Sequence, residues 1–187
     1  MELILASQSP RRKELLAHLN IPFVVRVADI DETMDAQKPP FEEVARVSRR
    51  KAEAICRTPE DIVIAADTIV VCDDVVLGKP VDEQDAFRML SMLSGREHQV
   101  MTGLTVCKGD KYIVTTEVTD VYFRPLSTKE IWDYIATKEP MDKAGSYGIQ
   151  GGASIFTERI VGDYYNVMGL PVCRLSCILK ELTEETL

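Results

Sequence analysis

The chain has 187 residues, 45% of them hydrophobic and 28% charged, a globular balance sufficient for one sizeable core or two small lobes sharing a sheet. A net charge of −8 argues against non-specific adhesion to DNA, RNA or an anionic membrane, and no apolar stretch approaches the length of a membrane span. Basic residues nonetheless cluster in Arg11-Arg12-Lys13 and Arg49-Arg50-Lys51, so small anionic ligands could be held locally.

Leu3 to Leu5 read as a strand running into Ser7-Gln8-Ser9-Pro10, where Ser9 is placed to cap a helix and Pro10 to occupy its first position. The helix is expected near residues 10–19, with Leu15, Leu16 and Leu19 as its apolar stripe. Arg11 and Arg12 stand in the first turn, where cations cost about 0.3–1 kcal/mol each against the helix dipole. They are either a solvated pair or, with the serine hydroxyls of Ser7 and Ser9 and free N–H groups, a phosphate pocket.

Pro22 to Val27 read as a second strand, followed by a polar segment from Asp29 to Pro40. Within it Asp31 and Glu32 are either solvated loop acids or ligands for a hard divalent cation. A helix from Phe41 to Cys56 carries Val44, Val47 and Ile55 on one face, which Lys51 interrupts. That lysine either snorkels to water or contacts phosphate.

Asp61 to Cys72 read as two β-rich runs joined at Asp67-Thr68, with Asp73-Asp74 as a tight turn. Five of the six residues before Asp67 are apolar, as are the four after Thr68. A carboxylate buried there without a partner costs several kcal/mol. Asp67 is therefore either a bend on a sheet edge or an acid that activates water, directly or through a metal. Lys79, between Gly78 and Pro80, presents one positive charge on a rigid segment.

A helix from Asp82 to Leu93 closes at Gly95, and strands are expected around His98–Cys107 and Tyr112–Phe123. Ser127 and Glu130 form a capping box for the helix holding Ile131, Trp132 and Ile135, which Pro140 stops. The glycine-rich stretch from Gly145 to Gly152 permits close backbone approach to a ligand, and Gln150 within it offers a donor and an acceptor suited to a nucleobase edge. The stretch is neither a P-loop nor a dinucleotide fingerprint. His98 has no evident partner and reads as structural. A hairpin-like pair is expected around Gly162-Asp163, and a last helix from Pro171 to Leu182. Strands and helices alternate without a strict βαβ rhythm, which predicts a mixed α/β sheet.

Five scattered cysteines, Cys56, Cys72, Cys107, Cys173 and Cys177, and an opening apolar run of only four residues predict a reducing, cytoplasmic setting without a secretory signal. Cys173 and Cys177, four apart on the last helix, read as buried core thiols.

Five segments in order then resemble the Maf family of nucleoside triphosphate pyrophosphatases, related in fold to the inosine triphosphatase group. They are residues 7–16 (Ser-Gln-Ser-Pro-Arg-Arg-Lys-Glu-Leu-Leu), Ala66-Asp67-Thr68, Leu77-Gly78-Lys79-Pro80, residues 94–102 (Ser-Gly-Arg-Glu-His-Gln-Val-Met-Thr) and residues 139–151 from Glu139 to Gly151. The resemblance spans the chain as a single domain. It implies a central sheet flanked by helices, with two lobes and a cleft.

It also implies cleavage of a triphosphate to the monophosphate and pyrophosphate, dependent on a divalent cation such as Mg²⁺ or Mn²⁺. Asp67 matches the proton acceptor. Arg11, Thr68 and Gln150 match the marks of the branch acting on dTTP and UTP. Ser7, Arg12, Lys51 and Lys79 would hold phosphate, and Glu32 with Asp67 would hold metal. A homodimer is implied by the resemblance alone. Cleavage of 7-methyl-GTP or modified nucleotides, and a non-catalytic nucleotide sensor reporting to cell division, are the alternatives; a nucleic-acid partner is not expected.

Overall fold

Two β-branched blocks, Ile62 to Ile64 and Thr68 to Val71, lie in one uninterrupted strand of 11 residues from Ile62 to Cys72, not two runs meeting at a bend. Pairing of the Asp67 carboxylate with a lysine, described below, is what lets an acid lie in mid-strand. The computed structural model describes residues 1–27, 29–55 and 57–184, the side chain of Glu184 aside. Cys56 lies outside the described residues.

In chain order the elements are β1 (Leu3–Leu5), α1 (Pro10–Ala17), β2 (Val24–Val25), α2 (Pro40–Glu53), β3 (Ile62–Cys72), β4 (Val75–Leu77), α3 (Glu83–Leu93), β5 (Glu97–Lys108), β6 (Lys111–Phe123), α4 (Thr128–Ala136), β7 (Thr157–Val161), α5 (Tyr164–Met168) and α6 (Val172–Glu184). Three short 3₁₀ turns stand between α4 and β7. The sheet has seven strands in the order β2-β1-β3-β5-β6-β7, with β4 paired to β3. It is mixed: β1 runs parallel to β2 and β3, whereas β4 and β7 run antiparallel to β3 and β6. The α/β class and the mixed central sheet agree with the expectation from sequence.

The chain forms two compact units, and β3, β5 and β6 each contribute to both. The first comprises Met1–Asp67, Thr102–Glu117 and the chain from Gly169 on. Ile4, Ala6, Ala52, Ile55, Val63, Ala65 and Cys107 make one of its cores, with Tyr112 against it. Helix α2 lies directly on the backbone of β5: a Cβ at Gly103 would stand 2.3 Å from the Val44 carbonyl oxygen. The buried Ser48 and Thr105 hydroxyls, 2.8 Å apart, fix the same contact one turn on.

The second unit comprises Thr68–Met101 and Val118–Met168. The Asp73-Asp74 turn forms as expected, both residues at positive φ. Ser127 and Glu130 form the capping box. Phe87 stacks on Trp132 at 4.8 Å between α3 and α4. The hairpin expected around Gly162-Asp163 does not form. β7 pairs with β6, and the chain then turns into α5, where buried Asn166 donates to the Val100 carbonyl and the Thr119 hydroxyl, both at 3.0 Å. Those hydrogen bonds hold a helical turn where a return strand was expected.

Two further expectations are corrected. The second strand shortens to Val24–Val25. Cys173 and Cys177 are exposed, because the buried stripe of α6 is Leu175, Ile178, Leu179 and Leu182, leaving both thiols on the outer side. No helix among the described residues is long and apolar enough to cross a membrane.

Candidate active site

Ser7 follows β1 and is buried, so its hydroxyl must be satisfied. It accepts from the Ser9 amide at 3.2 Å and from Arg12 Nη1 at 3.4 Å. Both acceptor positions of the hydroxyl are thereby engaged, and its proton can be offered to an anion. Ser9 caps α1 as expected, accepting from the Arg12 amide at 3.4 Å.

The two arginines of the first turn differ. Arg12 Nε donates to the Gly169 carbonyl at 2.8 Å, which fastens the guanidinium across 157 residues of chain. Burial pulls its pKa down from the ordinary value; Asp67 pushes it up, Arg11 down and Glu32 up. A cation that feels all three marks their common neighbourhood. Arg11 is half-buried, with no hydrogen-bond or ion-pair partner among the described residues.

Lys51 closes the arrangement. It stands in the last turn of α2, and its Nζ lies 2.6 Å from Asp67 Oδ1 and 3.1 Å from Glu32 Oε2. Its side chain is only 13% exposed, as is that of Asp67, so the ammonium rests between carboxylates and does not snorkel. Glu32 reaches in from the irregular polar segment and remains 58% exposed. Without Lys51, Asp67 would be a nearly buried carboxylate stripped of its ion-pair partner, a situation that costs about 3–5 kcal/mol. The unit thus gathers Ser7, Arg11, Arg12, Glu32, Lys51 and Asp67 in one place.

The acids there suit a hard divalent cation of a particular kind. No group of three or more His, Cys, Asp or Glu side chains converges among the described residues. Two carboxylates meeting at one ammonium do. Mg²⁺ keeps to oxygen ligands and is usually bound by one or two carboxylates completed by substrate phosphate and water. Glu32 and Asp67 fit that donor set.

Thr68, Lys79 and Gln150 belong to the second unit. Thr68 is the half-buried residue after Asp67 on β3. Lys79 and Gln150 are exposed. The Gly145 amide donates to the Gly78 carbonyl at 3.0 Å, so the Lys79 segment and the glycine-rich loop are tied together.

That loop also shows two residues the sequence reading missed. Tyr134 OH donates to Glu139 Oε1 at 3.0 Å and accepts from the Gly148 amide at 3.1 Å. Glu139 Oε2 accepts from the Gly152 amide at 3.0 Å. The glycines make room for the loop's own braces: a Cβ on Gly151 would stand 1.9 Å from Glu139 Oε1. Three glycines within five residues, just after an acid at a helix end, were the available signal.

His98 is not without a partner. Its Nε2 lies 2.8 Å from Tyr147 OH, and its ring sits edge-on to Phe123 at 4.9 Å. Burial pushes the imidazole down to about 4, so it is neutral at physiological pH.

A family model described as Maf-like protein matches residues 2–182. Among curated relatives, the dTTP/UTP pyrophosphatase of Symbiobacterium thermophilum is 54% identical over 181 residues, covering 96% of this chain and 93% of that protein. The protein of the same name from a Geobacillus species is 49% identical over 182 residues, covering 97% and 98%. Among solved structures, a HAM1 protein from Coxiella burnetii superposes with a TM-score of 0.51 at 17% identity, over 97% of this chain and 99% of that one. At that identity the likeness concerns fold alone. The matched range includes residues of both units, and the chain belongs to the Maf-like proteins.

Proposed function

We propose that this chain hydrolyses nucleoside triphosphates, preferring dTTP and UTP, to the monophosphate and pyrophosphate. The observation that carries the reading is Lys51 held between Asp67 and Glu32, with the fastened Arg12 beside them. The names of the relatives, near half identity over nearly the whole chain, supply the substrate class.

Each residue then has a task. Arg11, Arg12, Lys51 and Lys79 neutralise a triphosphate, and the Ser7 hydroxyl donates to one of its oxygens. Lys51 holds Asp67 Oδ1, which leaves Oδ2 to take a proton from water. The water oxygen bonds to the α-phosphorus as the α–β anhydride bond breaks, and pyrophosphate leaves with the electron pair. Glu32 and Asp67 would hold a divalent cation, which when bound supplies further charge neutralisation at the phosphate oxygens. Positioning and charge stabilisation account for most of the rate, as in other phosphoryl chemistry. Gln150 reads the pyrimidine edge through its amide. The described cysteines are free thiols, in keeping with a cytosolic setting, and the reading extends to a homodimer, checked by light scattering.

The test is release of pyrophosphate from a panel of common and modified triphosphates, with and without Mg²⁺ or Mn²⁺. UTP and dTTP should be cleaved fastest and only with metal. Equal rates on purine triphosphates would remove the base preference, and binding without turnover would make the protein a nucleotide sensor.

A further inference from the structure

The loop carrying Gln150 is held more firmly than exposure and glycine content suggest. Gln150 lies between Gly148 and Gly152, and the amides of both glycines are captured by side chains from α4 and the turn after it. Gly148 donates to Tyr134 OH and Gly152 to Glu139 Oε2, at 3.1 Å and 3.0 Å. Tyr134 and Glu139 are joined at 3.0 Å, so one connected pair fastens both ends of a three-residue span. Inside the span the Gly151 amide closes a turn on the Gly148 carbonyl at 3.0 Å, and Ile149 is buried as a plug. Lys143, whose Nζ donates to the Glu139 carbonyl at 2.7 Å, walls the other side of Gly148.

Such construction has a cost. Gly148, Gly151 and Gly152 give up side chains so that Lys143, Glu139 and Tyr134 can lie against the backbone. Among the described residues, the half-buried Glu139 carboxylate accepts hydrogen bonds only from this loop and its companion tyrosine, while its backbone engages Thr137 and Lys143. A freely moving surface loop needs none of this. An amide that must meet a base edge in one orientation does, because a polar contact discriminates between ligands without an ordering cost when its geometry is fixed beforehand.

We propose that Glu139, acting with Tyr134, is a positioning residue for base discrimination. It sets the height and orientation of Gln150 without touching the nucleotide. The inference rests on the reading of Gln150 as the base contact.

Steady-state kcat/KM would be measured for UTP, dTTP, CTP, GTP and ATP on the full chain and on Glu139→Ala, Glu139→Gln, Tyr134→Phe and Gln150→Ala. The quantity read is the ratio of UTP to GTP within one sample, since any unfolded fraction cancels from it. Glu139→Ala should lower the ratio about tenfold, approaching Gln150→Ala, with KM for UTP rising more than kcat falls. Glu139→Gln retains one acceptor and should recover most of the ratio, while Tyr134→Phe should fall between. If Gln150→Ala collapses the ratio and the two Glu139 variants and Tyr134→Phe leave it intact, the inference is wrong and the base-contact reading stands. If Gln150→Ala leaves the ratio unchanged, or the parent chain shows none, the reading itself fails and the inference with it. Should Glu139→Ala fail to fold, an unchanged ratio in both Glu139→Gln and Tyr134→Phe overturns the proposal.

Discussion

Gly103→Ala tests whether the seat of α2 on β5 governs catalysis. The added methyl carbon would stand 2.3 Å from the Val44 carbonyl oxygen and 2.5 Å from its carbon, against 3.4 Å or more for an ordinary contact. Both partners are backbone, so no rotamer relieves the clash, and α2 must retreat by about 1 Å. Over-packing of this kind costs about 1–3 kcal/mol. For a chain of this size each kcal/mol lowers the melting temperature by about 2–4 °C, which gives a drop of roughly 2–12 °C. Lys51 lies two turns along the same helix, with its Nζ 2.6 Å from Asp67. A 1 Å displacement at such a site reduces turnover by up to about 10². Thermal unfolding followed by circular dichroism and kcat on UTP read the two effects separately. Gly78→Ala serves as the melting control, since its Cβ meets nothing within 4 Å. A Gly103→Ala protein that melts with the parent and turns over normally would show that α2 is not seated as described.

Other consequences follow from the same geometry. Asp67→Asn removes the proton acceptor but keeps an oxygen for Lys51, so kcat should fall by about 10² or more while triphosphate affinity, measured by calorimetry, is retained; near-normal turnover would mean another group takes the proton. Arg11→Ala should raise KM and relax base choice at unchanged melting temperature, whereas Arg12→Ala should also lower the melting temperature, because Arg12 alone is fastened to the Gly169 carbonyl. The His98 imidazole takes a proton near pH 4 when folded and near 6.5 when unfolded, so acid loads the unfolded chain first. Stability should therefore be full above pH 6.5 and fall as pH drops toward 4, by about 3 kcal/mol for a group this buried, as read by urea titrations at several pH values. A decline that survives in His98→Gln would assign it elsewhere.

Features encoded within a few residues were legible beforehand. Ser9-Pro10, Asp73-Asp74 and the Ser127–Glu130 box each specify their turn or cap by local hydrogen bonding, and all three form. Errors arose where distant partners decide. Asp67-Thr68 looks like a break because an acid interrupts an apolar run, and Lys51, 16 residues away, offsets the penalty of leaving it in the strand. The turn at Gly162 reads as a hairpin, and a helix forms there because Asn166 donates to the distant Val100 carbonyl and Thr119 hydroxyl. Lys51 was visible as an intruder on an apolar face, but nothing local showed that it would bridge two carboxylates. The brace of Tyr134 and Glu139 is not legible, because glycines read as space for a ligand when their occupant is already in the chain. The burial expected of the α6 cysteines fails on local grounds: Leu175, Ile178, Leu179 and Leu182 have helical spacing, and neither thiol falls on their stripe.

Those outward thiols separate the described cysteines by chemistry. Cys72 and Cys107 are buried, and desolvation raises the pKa of each, so they persist as unreactive sulfhydryls. Cys173 and Cys177 stand one helical turn apart in solvent, where a maleimide reaches either of them. A fluorophore pair or spin label can therefore be grafted onto α6 in a chain whose Cys56 is replaced, leaving the two buried thiols untouched. Alkylation at α6 should leave nucleotide turnover untouched, giving an optical handle for watching substrate arrive.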